Sequence, residues 1–339
     1  MQNNAPPSQA GHASPEAIEF TRQAHALIRS ELAKVIVGQE EVIDQILMAI
    51  FTRSHALLMG VPGLAKTLLI STLAKTLQMS FKRIQFTPDL MPSDITGTEV
   101  IFQDPATGAK EFRFLPGPVF ANIVLADEIN RTPPKTQASM LEAMQERRVT
   151  TGGTTRQLPD PFFVLATQNP LEQEGTYPLP EAQLDRFLFL VKVGYPTPEE
   201  ELQIMKRGTG GAGEEPQPVL DAERVIYIQE AVRAMPVADH IFEYAAKIVQ
   251  ATRCGEPGAH PFCQRYLSFG AGPRASLGLI MAAKARAVLN GRLHTACQDV
   301  SDVALGVMRH RVAVNFTAQS EGIIADEAIT TVLESIPAH

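Results

Sequence analysis

The stretch that decides the fold is residues 56–68: Ala56-Leu57-Leu58-Met59, then Gly60-Val61-Pro62-Gly63-Leu64-Ala65-Lys66-Thr67-Leu68. The apolar run reads as a buried strand, the glycine-rich break as a loop, and the residues from Lys66 onward as a helix. That order is the grammar of a phosphate-binding loop. Glycines let successive backbone N–H groups converge on a polyphosphate, Lys66 supplies a point charge, and the Thr67 hydroxyl is a hard oxygen ligand for Mg²⁺. One position departs from the usual G-x-x-x-x-G-K-[ST] pattern: Ala65 stands where glycine is expected. Alanine is tolerable there only if the backbone does not need a positive φ.

The partner signature lies downstream, where Ile123-Val124-Leu125-Ala126 ends in Asp127-Glu128, a Walker B pattern. An acid at that strand end can hold Mg²⁺, directly or through water, and the second acid can orient and activate the attacking water. The run FFVLATQN ends at Asn169, whose amide is placed to hold that water near the γ phosphate; a simple turn amide is the plainer alternative. Arg186, before an apolar run, and Arg274, at a helix start, read first as surface ion pairs.

Outward from this centre, strands at 56–59, 82–86, 123–126, 162–167 and 187–193 alternate with helices at 66–77 and 134–146. Alternation of this kind specifies an α/β fold, a parallel sheet with helices on both faces. Two hairpins interrupt it. TGTEVIFQ and KEFRFLPGPVF flank the turn at 104–108, and RRVTTGGTTRQL carries Gly152-Gly153 at its tip. Upstream, Ser14-Pro15-Glu16 combines an N-cap, a proline at the first helical position and an acid in the first turn, opening a helix to about 34. A second helix covers 40–52. The glycine-rich, charged segment 208–218 reads as a flexible linker, and beyond it helices are expected at 222–235, 238–253, 275–290 and 301–312, without strand signals. The expected organisation is a disordered tail (1–14), an α/β nucleotide-binding domain (15–207), a linker (208–218) and an α-helical domain (219–339).

With 339 residues the chain has length for two domains and a sizeable core. Its formal net charge of -7 disfavours a chain-wide electrostatic grip on nucleic acid. No apolar run reaches the length of a membrane helix, and the polar N-terminus has neither basic flank nor apolar region. Three cysteines, Cys254, Cys263 and Cys297, form no disulfide framework and fit a reducing, cytoplasmic compartment. Cys254, His260 and Cys263 lack the C-x-x-C element of common zinc sites and read as structural.

Taken together, VGQEEV (37–42), GVPGLAKT, FTPDLMPSDITG (86–97), VLADEINR (124–131), LATQNP (165–170), EGTYPLPEAQLDRF (174–187) and GPRAS resemble the MoxR family of AAA+ ATPases. The Ala65 departure is usual in that family. The resemblance implies a nucleotide-binding domain with a helical lid, assembled into a ring, commonly a hexamer, with ATP between neighbouring subunits. It implies that Val37 and Gly38 border the adenine, that Asn169 is sensor 1, and that Arg186 is an arginine finger entering a neighbour's site. It further implies that Arg274 is sensor 2 and Arg131 a second trans-acting candidate. Phe102, Phe112 and Phe114 of the inserted hairpin would lie near the ring's opening, to grip a client or to pack on the sheet. The family's members act as chaperone-like maturation factors, often with a separate partner bearing a von Willebrand factor A domain. The expected function is Mg-ATP-driven remodelling of protein clients. The alternatives are a nucleotide-gated scaffold or a nucleic-acid-directed motor.

Overall fold

The computed structural model describes residues 13–103, 110–170, 175–210 and 214–338. Most of the expected N-terminal tail, the turn at 104–108, Glu174 and the centre of the expected linker lie outside the described residues.

The main sheet is parallel and five-stranded, in the order β2-β5-β8-β1-β9. Its strands are β1 (Ala56–Met59), β2 (Phe81–Gln85), β5 (Ile123–Asp127), β8 (Phe163–Gln168) and β9 (Phe189–Lys192). Helices on both faces turn β1, β5 and β8 into near-continuous apolar runs, because neither face meets water. Successive side chains point to opposite faces, and the two apolar clusters divide accordingly. Leu58, Leu125, Leu165 and Val191 join one cluster with helices Pro15–Ala33, Glu40–Phe51 and Lys66–Thr76. Leu57, Val124, Ala126, Val164 and Leu190 join the other, with helix Pro134–Glu146.

Both expected hairpins are present: β3 (Gly97–Gln103) with β4 (Lys110–Pro116), and β6 (Arg148–Thr151) with β7 (Thr154–Gln157). Gly152 and Gly153 take positive φ between β6 and β7, the conformation that a tight hairpin turn demands of them.

After 218 the chain is mainly helical, with Ala222–Ala234, Asp239–Ala251, Pro273–Leu289 and Cys297–Met308 as its long elements. These helices share a core with the sheet. Ile228, Ile248, Leu279, Val303 and Val307 belong to the same cluster as Ile46, Leu58 and Val191.

Two features depart from the sequence reading. A short antiparallel pair, β10 (Leu267–Phe269) with β11 (Ala313–Val314), lies where no strand was expected; strands this short carry no periodicity to read. Helix Pro198–Thr209 also lies where no helix was expected; its few apolar residues, Leu202, Ile204 and Met205, are all exposed and none joins the core. Its signal was local: Thr197 and Glu200 form a reciprocal capping box around Pro198. The helix runs into the start of the expected linker, whose far end is pinned by Gln217 N–H on Glu31 and Val219 N–H on the Thr76 carbonyl.

His55, 5% exposed at the foot of β1, ties β1 to two neighbours. Its Nε2 donates to the Met144 carbonyl at 3.1 Å and its Nδ1 accepts from Val164 N–H at 3.0 Å, an arrangement that only the neutral ring satisfies. Burial pushes its pKa from 6.5 to about 4. A pKa depressed on folding gives a contribution that is complete above pH 6.5 and lost as the pH falls toward 4. That shift corresponds to about 3 kcal/mol. Unfolding free energy measured in urea across this window should fall more steeply for wild type than for His55→Gln. Parallel slopes would exclude His55 as the titrating group.

Candidate nucleotide-binding site

The loop after β1 is shaped by three backbone constraints. Gly60 approaches the end of β9 so closely that an added Cβ would lie 2.8 Å from the Val193 carbonyl oxygen. Gly63 has φ +86 and Ala65 has φ +54, so the loop places an alanine in left-handed space immediately before the helix. The condition attached to Ala65 from sequence is therefore not met: the position does take a positive φ. Alanine there costs about 1–2 kcal/mol relative to glycine's freedom, partly offset by glycine's larger unfolded-state entropy. Ala65→Gly should stabilise the nucleotide-free protein by about 1 kcal/mol, read as a rise in melting temperature. A fall would show that the Ala65 side chain contributes contacts that outweigh the strain.

Lys66 projects across the loop, its Nζ donating to the Gly60 carbonyl at 2.6 Å. Partial burial lowers its pKa, while the Asp127 and Glu128 carboxylates pull it back up. The Thr67 hydroxyl makes no hydrogen bond among the described residues, which leaves a hard oxygen available at the first turn of the helix.

The parallel register gathers the acids beside this loop. β5 pairs with β2 so that Asp127 faces Gln85, and with β8 so that Ala126 faces Ala166. Asp127 is 8% exposed. Its Oδ1 accepts from Thr167 Oγ1 at 2.6 Å, and its Oδ2 accepts from Arg83 Nε at 3.0 Å and Nη2 at 2.6 Å. Glu128, also in left-handed space at φ +58, donates its backbone N–H to Thr167 Oγ1. Its carboxylate Oε2 accepts from Gln85 Nε2 at 2.7 Å and Arg131 Nη1 at 3.1 Å. Asn169 follows β8 at the same edge, 6% exposed. The donor set fits a hard divalent cation: one free hydroxyl, Thr67, and one carboxylate, Asp127, beside a loop built for phosphates.

Three residues here were missed by the sequence reading. Thr167 lies two positions before Asn169, on the same face of β8, and bridges both acids. Arg83 and Gln85 share the face of β2 that meets β5, at the period-two spacing that puts alternate side chains on one side. Their signal was present as a polar pair in an otherwise strand-like run. Arg131, expected as a trans-acting candidate, pairs within its own chain with Glu128.

Beside the loop lies a cavity of about 640 Å³. Val37, Val42, Leu64, Leu68 and Tyr195 give it an apolar wall beside the phosphate loop, and Glu40, Glu41, Glu200 and Glu201 also line it. Gly38 takes φ +66 next to Val37 and abuts Glu200, whose carboxylate an added Cβ would meet.

Arg186 and Arg274 are not in this group. Arg186 precedes β9, at the N-terminal end of the parallel strands, whereas the phosphate loop follows their C-terminal ends. Four residues of β1, about 13 Å of extended chain, separate the two edges. Arg274 joins Arg186 at the far edge, 3.5 Å from Asp185, and both line a cavity of about 250 Å³ with His55 and Arg311. The side chain of Arg186 makes no hydrogen bond or ion pair among the described residues.

Of the hairpin aromatics, Phe114 packs edge-on against Phe120 beneath the Arg156 guanidinium, and Arg113 covers Phe102. Phe112 stands 77% exposed opposite Ile101. Cys263 and Cys297 are buried and Cys254 half-buried, all as free thiols, with burial pushing Cys263 up to about 11. No helix among the described residues is long and apolar enough to cross a membrane.

Comparison with known proteins agrees with this architecture. Residues 55–189 match the ATPase family associated with various cellular activities (AAA), and residues 262–332 match the AAA lid domain. The chain is similar to Chaperone MoxR1 of Mycobacterium tuberculosis, with 43% identity over 97% of this chain and 87% of that protein. Similarity to Protein MoxR of Methylorubrum extorquens is 32%, covering 94% and 96% of the two chains. A crystal structure of a protein from Cytophaga hutchinsonii assigned as an ATPase superposes with a TM-score of 0.87, at 40% identity over 96% of this chain and 97% of that one. With the phosphate loop, the acidic strand end and the helical lid all matched in order, the chain belongs to the MoxR family of AAA+ ATPases.

Proposed function

We propose that the protein hydrolyses Mg-ATP in a homo-oligomeric ring, a hexamer by family resemblance, and couples turnover to remodelling or maturation of protein clients in the cytoplasm. The observation that carries this reading is the division of the site between two edges of one sheet. Lys66, Thr67, Asp127, Glu128 and Asn169 gather at the C-terminal edge, while Arg186 and Arg274 wait at the other. A head-to-tail ring brings one subunit's far edge to its neighbour's phosphate loop, so both arginines act in trans.

Within one site, the loop N–H groups and Lys66 cradle the phosphates, and the base enters the recess beside Val37, Gly38 and Leu68. Mg²⁺, held by Thr67 and by Asp127 directly or through water, supplies charge neutralisation on the phosphate oxygens. For direct coordination Asp127 releases one of its two present partners, and Arg83, which donates two bonds to Oδ2, is the more exposed of them. Glu128 accepts the proton of the attacking water, and Asn169 orients that water. Clients are separate proteins, with a von Willebrand factor A domain protein as the expected partner; the name of the Mycobacterium tuberculosis relative supports a chaperone role. The net charge of -7 weighs against a nucleic-acid motor.

Phosphate release with ATP should require Mg²⁺ and vanish in Lys66→Ala, which should also lose binding of a fluorescent ADP analogue. Nucleotide binding that drives assembly without any release would contradict the hydrolase reading and favour a scaffold.

A further inference from the structure

Arg311 is 7% exposed and places nearly every guanidinium donor on a single short segment. Its Nε donates to Asp185 Oδ1 at 2.7 Å. Its Nη2 donates to the Asp185 carbonyl at 3.1 Å and the Phe187 carbonyl at 2.7 Å, and its Nη1 to the Leu188 carbonyl at 3.1 Å. A remaining bond, from Nη1 to the Val307 carbonyl, closes the guanidinium onto its own helix. The two preceding residues reach the same strip: His310 Nε2 donates to the Phe187 carbonyl at 3.0 Å, and Arg309 to the Leu190 carbonyl at 3.5 Å.

The carbonyls gripped are those on either side of Arg186. Residues 309–311 follow helix Cys297–Met308, so the lid holds the backbone that presents the free arginine. Packing closes the contact further, since a Cβ on Gly278 would meet Val307 at 3.1 Å and Leu188 at 3.2 Å. A buried guanidinium is tolerated only when its fixed fork of N–H donors is satisfied together, and a lysine offers fewer donors without the planar geometry. The segment 185–188 and the residues that end the lid helix are therefore bonded directly to one another.

We propose that Arg311 is the positioning residue for Arg186, so that the lid of one subunit sets the presentation of its arginine to the next subunit's nucleotide. The proposal rests on the trans reading of Arg186 given above. Lid displacement in one subunit then changes turnover in its neighbour, while the neighbour's own phosphate loop stays intact.

Arg311→Lys keeps the charge but not the fork. Because misplacing a catalytic group by 1 Å can cost about 100-fold, its kcat should fall by about that factor, with KM and the affinity for a fluorescent ADP analogue unchanged. Mixing Arg311→Lys with Glu128→Gln subunits should restore release, because the latter carry an intact clamp and arginine into the former's sites. Hydrogen–deuterium exchange on the wild-type protein gives a readout free of any folding defect: amides 185–190 should change protection together with 307–311 when nucleotide is added. Full turnover in Arg311→Lys, alongside loss in Arg186→Ala, would overturn the proposal while leaving the trans reading standing. Independent exchange of the two segments would overturn it also. Full turnover in Arg186→Ala would remove the trans reading itself, and the proposal with it.

Discussion

Glu128→Gln is expected to bind nucleotide as wild type does and to release phosphate about 100- to 10,000-fold more slowly, the usual worth of a positioned general base. The geometry makes this a clean substitution. Glu128 is fixed through its backbone N–H on Thr167 and through one carboxylate oxygen, Oε2, which accepts from Gln85 and Arg131. The glutamine carbonyl oxygen can accept those same two bonds, so the loss falls on the proton-accepting oxygen rather than on the fold. Phosphate release and equilibrium binding of a fluorescent ADP analogue, measured side by side, separate the two. Undiminished release would mean that another group activates the water.

Arg186→Ala should cost more, about 1,000- to 100,000-fold in turnover, as expected for an arginine that meets transition-state charge on the γ phosphate. Its own site should bind nucleotide normally, because the substitution lies across the sheet from the phosphate loop. The diagnostic result is complementation: Arg186→Ala and Glu128→Gln subunits, each inactive alone, should regain release when mixed, since a mixed interface unites an intact Glu128 with an intact Arg186. Failure to complement, with assembly unimpaired, would place Arg186 outside the reaction. Arg274 shares the cavity with Arg186 and pairs with Asp185, so its loss should follow the same complementation pattern.

The parts of this site that were legible from sequence are those written in contiguous residues. The loop 60–67 and the pair Asp127-Glu128 carry their chemistry locally, and the apolar runs of β1, β5 and β8 could be read because both faces of the sheet are covered. What was illegible depends on register or on distant chain. Thr167 matters because β8 lies beside β5, and Arg83 and Gln85 matter because β2 lies on β5's other side. Ala65 could be flagged from sequence, but its positive φ could not. Arg311 gave no signal, since its partners lie more than a hundred residues earlier in the chain. The helix at Pro198–Thr209 was legible in its capping box at Thr197 and Glu200, whereas its few apolar residues bury nothing and point to no core face.

Dependence of hydrolysis on the neighbouring subunit is tested most directly by following phosphate release per subunit against protein concentration, with oligomer mass recorded on the same samples. The account predicts that specific activity rises as the ring forms and that Arg186→Ala stays inactive at every concentration while assembling normally. Activity independent of concentration, sustained by monomers and unaffected by Arg186→Ala, would contradict it.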